Sequence, residues 1–190
     1  MENTVEVESA VEEKRRIRAE MRALRRGVTP ESARLAGVAI AARLDELAGG
    51  VAPGAFAACY LSMRDEVDSA PLIEWCRGRG LRVAVPASDG AGGYRWAELR
   101  EGEPLATGPM GIPEPAEERE VDPRALSLAL VPGVAFDGAG HRLGHGNGHI
   151  DRLYAAAASC RKIGVAFAWQ VLDSVPCEPH DIAMDVIVSG

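Results

Sequence analysis

Residues 131–154 have the clearest capacity for chemistry in this sequence. They read VPGVAFDGAGHRLGHGNGHIDRLY and contain six glycines. We expect a buried strand to end at Pro132 and a helix to begin at Asp151, which places the glycines in a loop beyond the carboxyl end of a strand. Backbone N–H groups of such a loop, together with the positive end of the following helix, bind anions. The spacing therefore predicts a phosphate cradle built on Gly144-x-Gly146-x-Gly148.

Glycine spacing alone also fits a second interpretation, a flexible or tightly turning connector. The segment lacks the G-x-x-x-x-G-K-[ST] pattern of a Walker A loop. It also lacks the G-x-G-x-x-G spacing of a dinucleotide-binding loop, because position 149 is histidine. Both interpretations stay open on the glycines alone.

Three carboxylates stand near predicted strand ends: Asp151, Asp181 and Asp185. A phosphate site that uses ATP requires Mg²⁺, which takes one or two protein carboxylates and keeps several waters. Each aspartate is also compatible with a helix cap or a solvated surface position. The sequence has no His/Cys cluster with zinc-ligand spacing and no G-x-S-x-G motif, which disfavours a serine hydrolase of that type.

Basic residues concentrate on a predicted helix over residues 11–26. Its apolar stripe repeats at helical spacing, and the cations fall on an adjacent stripe that comprises Lys14, Arg18, Arg22 and Arg25. Lys14 and Arg18 share one face, so both can meet a triphosphate. A solvated basic face is the alternative interpretation.

The composition is that of an acidic globular chain. It has 190 residues, a net charge of −7 and 47% hydrophobic residues, enough for one sizeable core. The charge argues against a nucleic-acid-binding protein. The acidic N-terminus lacks the apolar region of a signal peptide, and no apolar run is long enough to span a membrane. Four cysteines without a C-x-x-C pair indicate reduced thiols in a cytosolic protein.

The elements that must position these residues alternate along the chain. Residues 1–10 are expected to be a disordered acidic tail, and a second helix starts at Thr29-Pro30 and ends at Gly49-Gly50. Strands are predicted over 55–62, 81–86, 94–99, 126–132, 162–168 and 185–189, helices from Ser69 to Gly78 and over 153–160, and mostly loop over 101–123. This order predicts an α/β fold with residues 11–190 as a three-layer single domain, in which helices flank a mainly parallel central sheet.

The order of motifs resembles the 5-formyltetrahydrofolate cyclo-ligase family over residues 12–188. The basic helix is followed by L-S-M-x-x-E-V-D (61–68), a Pro-rich loop, and L-V-P-G-V-A-F-D-x-x-G-x-R-L-G-x-G-x-G-x-x-D-R (130–152), and then by the segment that contains Pro179, His180 and Asp181. The motif at 130–152 is the long and specific one.

The resemblance implies an ATP- and Mg²⁺-dependent ligase of folate one-carbon metabolism. Such an enzyme makes 5,10-methenyltetrahydrofolate, ADP and phosphate from 5-formyltetrahydrofolate and ATP. The implied route transfers a phosphoryl group to the formyl oxygen, after which N10 attacks and phosphate leaves. The implied ligands are ATP and a reduced folate, with or without a polyglutamate tail. A cytoplasmic monomer that binds neither nucleic acid nor membrane is expected.

The resemblance also implies roles for individual residues. ATP binding falls on Lys14, Arg15, Arg16, Ile17 and Arg18, and on Arg142, Leu143, Gly144, His145, Gly146, Asn147, Gly148, His149 and Ile150. Catalytic roles fall on Lys14, Arg18, Arg142 and His149, and the Mg²⁺ carboxylates are Asp151 and Asp181. Substrate contacts fall on Leu61, Glu66, His145, Gly146, Asn147, Gly148, His149 and Trp169, with Gln170 beside the pocket.

The glycine loop departs from the family pattern, which usually reads G-x-G-(basic or Gly)-G-Y-Y-D-R. His149 and Ile150 replace both tyrosines, and Asn147 stands where a lysine is common. Two alternatives follow. The chain is a divergent cyclo-ligase in which His149 or His145 does the polar work, or it is a paralogue that binds folate or nucleotide without turnover or phosphorylates a different acceptor.

Overall fold

The computed structural model describes residues 2–117, 119–146, 148–157, 159–179 and 181–190, with the side chains of 2–9, 110, 149 and 150 outside the description. The helices are α1 Glu2–Arg25, α2 Pro30–Ala41, α3 Leu44–Leu47, α4 Ala70–Gly78 and α5 His149–Ala155. Short 3₁₀ turns cover Pro109–Gly111, Pro123–Ala125 and Ala168–Gln170. Within the described residues, no helix combines the length and apolarity needed to cross a membrane.

The strands form one large sheet and two small ones. They are β1 Phe56–Ala58, β2 Arg82–Ser88, β3 Tyr94–Glu98, β4 Leu105–Thr107, β5 Pro113–Pro115, β6 Leu126–Pro132, β7 Ala135–Asp137, β8 Arg142–Leu143, β9 Arg161–Ala166, β10 Val171–Leu172 and β11 Val186–Ser189. The large sheet has the order β11-β9-β6-β1-β2-β3 and is parallel except for β3, which pairs antiparallel with β2. The predicted mainly parallel sheet is confirmed, and β3 is its antiparallel edge strand.

Helices cover both faces of this sheet. On β1, Ala57 packs with α2, α3 and α4 on one face, while Ala58 packs with α5 on the other. Because successive side chains of a strand point to opposite faces, short strands of small and branched residues serve two cores at once. The result is the three-layer arrangement of helix, sheet and helix that the sequence predicts.

The helix α1 lies apart from both of these cores. Ile17 and Met21 pack into a third cluster with Val134, Leu143 and Val175, next to the small sheet of order β10-β7-β8. This apolar contact is small for a helix of 24 residues, so polar contacts must contribute much of the docking.

Two predictions about helices differ from the structure. The helix α1 begins at Glu2, within the segment 1–10 for which a disordered acidic tail is predicted. A helix nucleated farther along the chain extends at little cost, and acidic residues stabilise its first turns. The second predicted helix is split into α2 and α3 around Ala42 and Arg43, although Thr29 caps α2 as expected.

Two predictions about strands and loops also differ. The strand predicted over 55–62 is regular only from Phe56 to Ala58, because the chain then turns into the site described below. The loop over 101–123 contains a hairpin of β4 and β5. Proline occurs at both ends of β5, and it is tolerated there because β5 is an edge strand.

Candidate functional site

A cavity of about 600 Å³ opens at the carboxyl edge of the large sheet. Its floor includes Pro86 of β2, Pro132 of β6 and the segment that follows β1. Chain order reverses between β1 and β6, since β2 lies on one side of β1 and β6 on the other. Such a reversal leaves a crevice beyond the strand ends, which is where open α/β sheets bind ligands.

One side of the cavity, here called the charged wall, carries three cations and three carboxylates: Lys14, Arg18, Arg142, Asp151, Glu178 and Asp181. Lys14 Nζ donates to Glu178 Oε2 at 2.7 Å and to Asp181 Oδ2 at 2.8 Å. Burial alone would lower the pKa of this ammonium, but the two carboxylates raise it above its ordinary value. Lys14 is therefore charged and held at the cavity.

The second cation of α1 holds the glycine loop. Arg18 Nε donates to the Gly144 carbonyl at 2.9 Å, and its guanidinium lies over Gly146. Within the described residues, no carboxylate pairs with Arg18. Burial, followed by the nearby charge of Arg22, lowers the pKa of Arg18. An anion that enters the cavity is thus met by one arginine without a counter-ion.

The loop adopts backbone conformations that favour glycine. Gly146 has φ 103° and Gly148 has φ 62°, both in the left-handed region. Gly148 is the N-cap of α5 and accepts the Arg152 N–H, so its conformation starts the helix two residues before the predicted Asp151. The glycines thus turn the chain sharply within the loop while keeping it close to Arg18.

The third cation of the charged wall is buried beside the loop. Arg142 Nη2 donates to Asp151 Oδ1 at 2.5 Å, and its Nε atom is buried without a hydrogen-bond partner among the described residues. The Ile182 N–H lies 3.5 Å from the same Asp151 oxygen, which brings the chain beside Asp181 next to Asp151. An unpartnered donor on a buried arginine indicates that Arg142 has capacity for a further acceptor.

Glu66 closes the other end of the cavity. Its Oε2 accepts the Met63 N–H at 2.9 Å, and its Oε1 pairs with Arg25 Nη2 at 3.2 Å. Burial would raise the pKa of the Glu66 carboxyl, but the His145 ring, the Met63 amide and the Arg25 charge together hold that pKa below its ordinary value. A buried and ionised carboxylate therefore faces the cavity.

The remaining side of the cavity, here called the apolar wall, comprises Tyr60, Leu61, Met63, Pro86, Tyr94, Ile112 and Pro113. Tyr60 is anchored by its hydroxyl, which donates to the Val67 carbonyl at 2.8 Å. Ile112 and Pro113 come from the hairpin in the segment predicted as loop. Flat apolar and aromatic surface of this kind suits a ring system.

Two buried polar side chains support the site from behind. Asp137 accepts the Ala139 and His141 amides at 3.0 Å each, the Val175 amide at 2.8 Å and lies 2.9 Å from His141 Nδ1. Burial opposes ionisation, but these hydrogen bonds lower the pKa of Asp137. They shape the β7–β8 hairpin that carries Arg142. Gln170 does similar work by donating to the carbonyls of Gly133 and Val134.

The structure brings most of the predicted residues to the cavity. Those that line it are Lys14, Arg18, Leu61, Glu66, Arg142, Leu143, Gly144, His145, Gly146, Gly148, Asp151 and Asp181. Asn147 lies outside the described residues, as do the side chains of His149 and Ile150.

Four predicted residues lie elsewhere. Arg15 is exposed, and Arg16 is exposed and pairs with Glu13 and Glu20 along α1. Ile17 is buried in the third cluster, and Trp169 stacks on Phe167 with ring centroids 5.3 Å apart. Only every third or fourth residue of a helix faces one side, so a run of five could not all reach the ligand.

Some functional positions were missed. Glu178 shares Lys14 with Asp181, and Tyr94 and Ile112 line the apolar wall. Of these three residues, only Glu178 could have been found from the sequence, because it lies three residues before Asp181 in a Pro-rich segment. Asp185 contributes nothing here, since it accepts the Lys162 amide just before β11, at the opposite edge of the sheet.

The donors on the charged wall fit a hard divalent cation. The described residues contain no group of three or more His, Cys, Asp or Glu side chains placed to hold a metal ion. Mg²⁺ needs only one or two carboxylates because waters and substrate phosphates complete its shell. Asp151 and Asp181 offer such oxygens at one wall, together with Lys14 and Arg142 as counter-charges.

The fold and cavity define an α/β protein with a cavity of mixed charge at the switch point of its sheet. Residues 10–190 match the model of the 5-formyltetrahydrofolate cyclo-ligase family. The chain therefore belongs to this family.

Named relatives agree with this placement. The chain is 34% identical over 152 residues to the 5-formyltetrahydrofolate cyclo-ligase of Mycolicibacterium smegmatis, covering 75% of this chain and 77% of that protein. It is 31% identical over 175 residues to the enzyme of that name from Escherichia coli K12, covering 89% and 96%. The structure of Aquifex aeolicus 5,10-methenyltetrahydrofolate synthetase superposes with a TM-score of 0.78 at 29% identity, covering 92% of this chain and 88% of that one.

Proposed function

We propose that the protein converts 5-formyltetrahydrofolate and ATP into 5,10-methenyltetrahydrofolate, ADP and phosphate. The observation that carries this proposal is one cavity that is lined by both a charged wall and an apolar wall. A reaction between a polyanion and a flat heteroaromatic substrate needs both surfaces within reach of one another. The relatives that carry the cyclo-ligase name support the same assignment.

The charged wall is proposed to bind the triphosphate. Lys14, Arg18 and Arg142 supply the positive charge, and the glycine loop allows close backbone approach. Phosphoryl transfer depends on positioning and on stabilising charge over the transferred oxygens. The γ-phosphoryl group passes to the formyl oxygen, N10 attacks the activated carbon, and breaking the carbon–oxygen bond releases phosphate.

Asp151 and Asp181 are proposed to hold Mg²⁺ with the phosphates. With three cations and three carboxylates, the charged wall has no net charge of its own to attract a polyanion. A bound divalent cation would supply that charge and polarise the phosphate oxygens.

The apolar wall and Glu66 are proposed to bind the folate. Leu61 and its neighbours offer ring-sized apolar surface. The ionised Glu66 carboxylate accepts hydrogen bonds, which suits the donor edge of a pterin ring. A neutral or protonated side chain at position 66 would no longer select the donor edge of the pterin.

The setting of this activity is part of the proposal. Residues 11–190 are proposed to form one catalytic domain, since residues from Val11 to Asp181 line one cavity. A monomeric state is proposed with it. All four cysteines are free, which supports a reducing compartment and hence a cytoplasmic location.

The test is a spectroscopic assay with purified protein, ATP, Mg²⁺ and 5-formyltetrahydrofolate. We expect the near-ultraviolet chromophore of the methenyl product to appear, and to disappear when ATP or Mg²⁺ is omitted. Folded protein at high concentration that produces no absorbance change would overturn the proposal.

Titration calorimetry then separates the alternatives. Binding of ATP or folate without turnover would indicate a binding protein on this fold. ATP hydrolysis stimulated by another carboxylic or amide acceptor, but not by 5-formyltetrahydrofolate, would indicate a different ligase or phosphotransferase.

A further inference from the structure

Arg25 is a buried cation that does not line the cavity. Its relative exposure is 3%, although it lies in the last turn of α1 where a lysine or arginine is ordinarily solvated. A buried guanidinium is costly unless its donors are paired, so its partners indicate what the position is for.

The partners of Arg25 come from two separate segments of the chain. Arg25 Nε donates to the Asp65 carbonyl at 3.1 Å and lies 2.9 Å from the Asp65 carboxylate, while Nη2 lies 3.2 Å from Glu66 Oε1. Nη1 lies 3.4 Å from His145 Nε2 in the glycine loop. One side chain thus joins the segment after β1 to the loop after β8.

His145 Nε2 is shared between two neighbours. It accepts from Arg25 when its lone pair is free and pairs with the Glu66 carboxylate when it carries the proton. His145 Nε2 also lies 3.9 Å from Glu66 Oε1. His145 and Glu66 both line the cavity. Arg25 does not line it, but it contacts both of these side chains.

We propose that Arg25 is a positioning residue that holds the Glu66 carboxylate against His145 of the glycine loop and thereby sets the orientation of Glu66 for folate binding. This inference rests on the proposed function. Arg25 itself does not contact the substrate. It fixes the orientation of the Glu66 carboxylate in addition to stabilising its negative charge.

A planar guanidinium is required because three donors must reach three directions at fixed angles. Lysine has one flexible ammonium group and cannot reproduce this fork. Neighbouring Arg26 is exposed on the same helix end and has no described partner, so it offers a matched control for the loss of one positive charge.

The experiment compares Arg25→Gln, Arg25→Lys and the control Arg26→Gln with the wild-type protein. Circular dichroism and thermal unfolding identify working temperatures at which each variant is folded. Steady-state kinetics then give kcat and the KM values for 5-formyltetrahydrofolate and for ATP, and calorimetry gives folate affinity without turnover.

We expect Arg25→Gln to raise the folate KM about tenfold, corresponding to one lost charge-assisted contact, with the ATP KM changed less than twofold. Arg25→Lys should fall between it and wild type, and Arg26→Gln should match wild type.

The outcomes separate the two proposals. An active wild type with Arg25→Gln equal to Arg26→Gln, or with both KM values raised alike, overturns the positioning role and leaves the function standing. A folded wild type that neither binds nor turns over 5-formyltetrahydrofolate overturns both.

Discussion

The charged wall and the apolar wall of the cavity are built in opposite ways. On the charged wall, Lys14 and Arg142 already pair with carboxylates of the same wall, and only Arg18 lacks a carboxylate partner among the described residues. On the apolar wall, Leu61 and Pro86 need no polar partner, so their surface faces the cavity directly.

Under the proposed function, this difference means that the two walls receive their ligands in different ways. A partly buried ion pair contributes little net stability because desolvation offsets attraction. Phosphate oxygens can therefore replace a carboxylate on Lys14 or Arg142 at small cost. Binding at the apolar wall is favourable because it removes apolar surface from water. Ligand binding is thus an exchange of partners on one wall and a burial of surface on the other.

The largest expected effect comes from Lys14→Met. The substitution leaves Glu178 and Asp181 facing a triphosphate without their cation, so kcat/KM should fall by about 10²- to 10³-fold, as for other lost transition-state donors. The spectroscopic assay of the methenyl product measures kcat/KM. Arg16→Gln on the exposed face of α1 is the control, and a loss below threefold for Lys14→Met would show that the charged wall does not bind the phosphates.

Asp137→Asn should alter the charged wall through its support alone. The side-chain NH₂ of the asparagine would face the Val175 N–H, so that two hydrogen-bond donors meet. The free energy of unfolding should therefore drop by about 1–3 kcal/mol, as measured by urea titration at neutral pH. Because folding lowers the pKa of Asp137 below 3.8, its contribution is present above that pH and is lost as pH falls. The gap between variant and wild type should therefore narrow in acid. An equal gap at all pH values would contradict this explanation.

The smallest effect is expected on the apolar wall. Leu61→Ala removes a partly buried side chain, and the folate KM should rise about fivefold, near 1 kcal/mol, with the ATP KM unchanged. Leu35, which is 53% exposed on α2, supplies the control Leu35→Ala. A Leu61→Ala variant with a raised ATP KM would mean that the two walls are not separate binding surfaces.

Much of the fold was predictable because its signals are local. The alternating pattern of 94–99 predicted the strand that the structure shows as β3, and Thr29-Pro30 predicted the start of α2. The break between α2 and α3 has no glycine or proline to mark it, and the hairpin over 105–115 contains prolines that predict a loop. These features depend on packing that a single sequence does not display.

The site was predictable where its residues lie in one motif. Gly144 and Asp151 follow from the glycine-rich stretch, and Arg142 follows from the family resemblance of the motif that contains it. The burial of Lys14 and Arg25 was not predicted, since the helical pattern assigned them to a stripe beside Leu24, which is 50% exposed. Their partners at 65–66, 145 and 178–181 fix the orientation of α1. Ion pairs between residues so far apart in the sequence produce no periodic pattern from which they could be predicted.

The contact between Lys14 and Asp181 spans 167 positions of the sequence. Closing so long a loop is slow, and nothing in the early chain can substitute for it. During synthesis, α1 must wait for residues 178–181 before its lysine is neutralised. Strands β1, β2, β3, β6 and β9 all precede residues 178–181 in the chain, so we expect this part of the central sheet to form first. The charged wall and the edge strand β11 follow, which makes the proposed ATP site one of the last parts of the molecule to be completed.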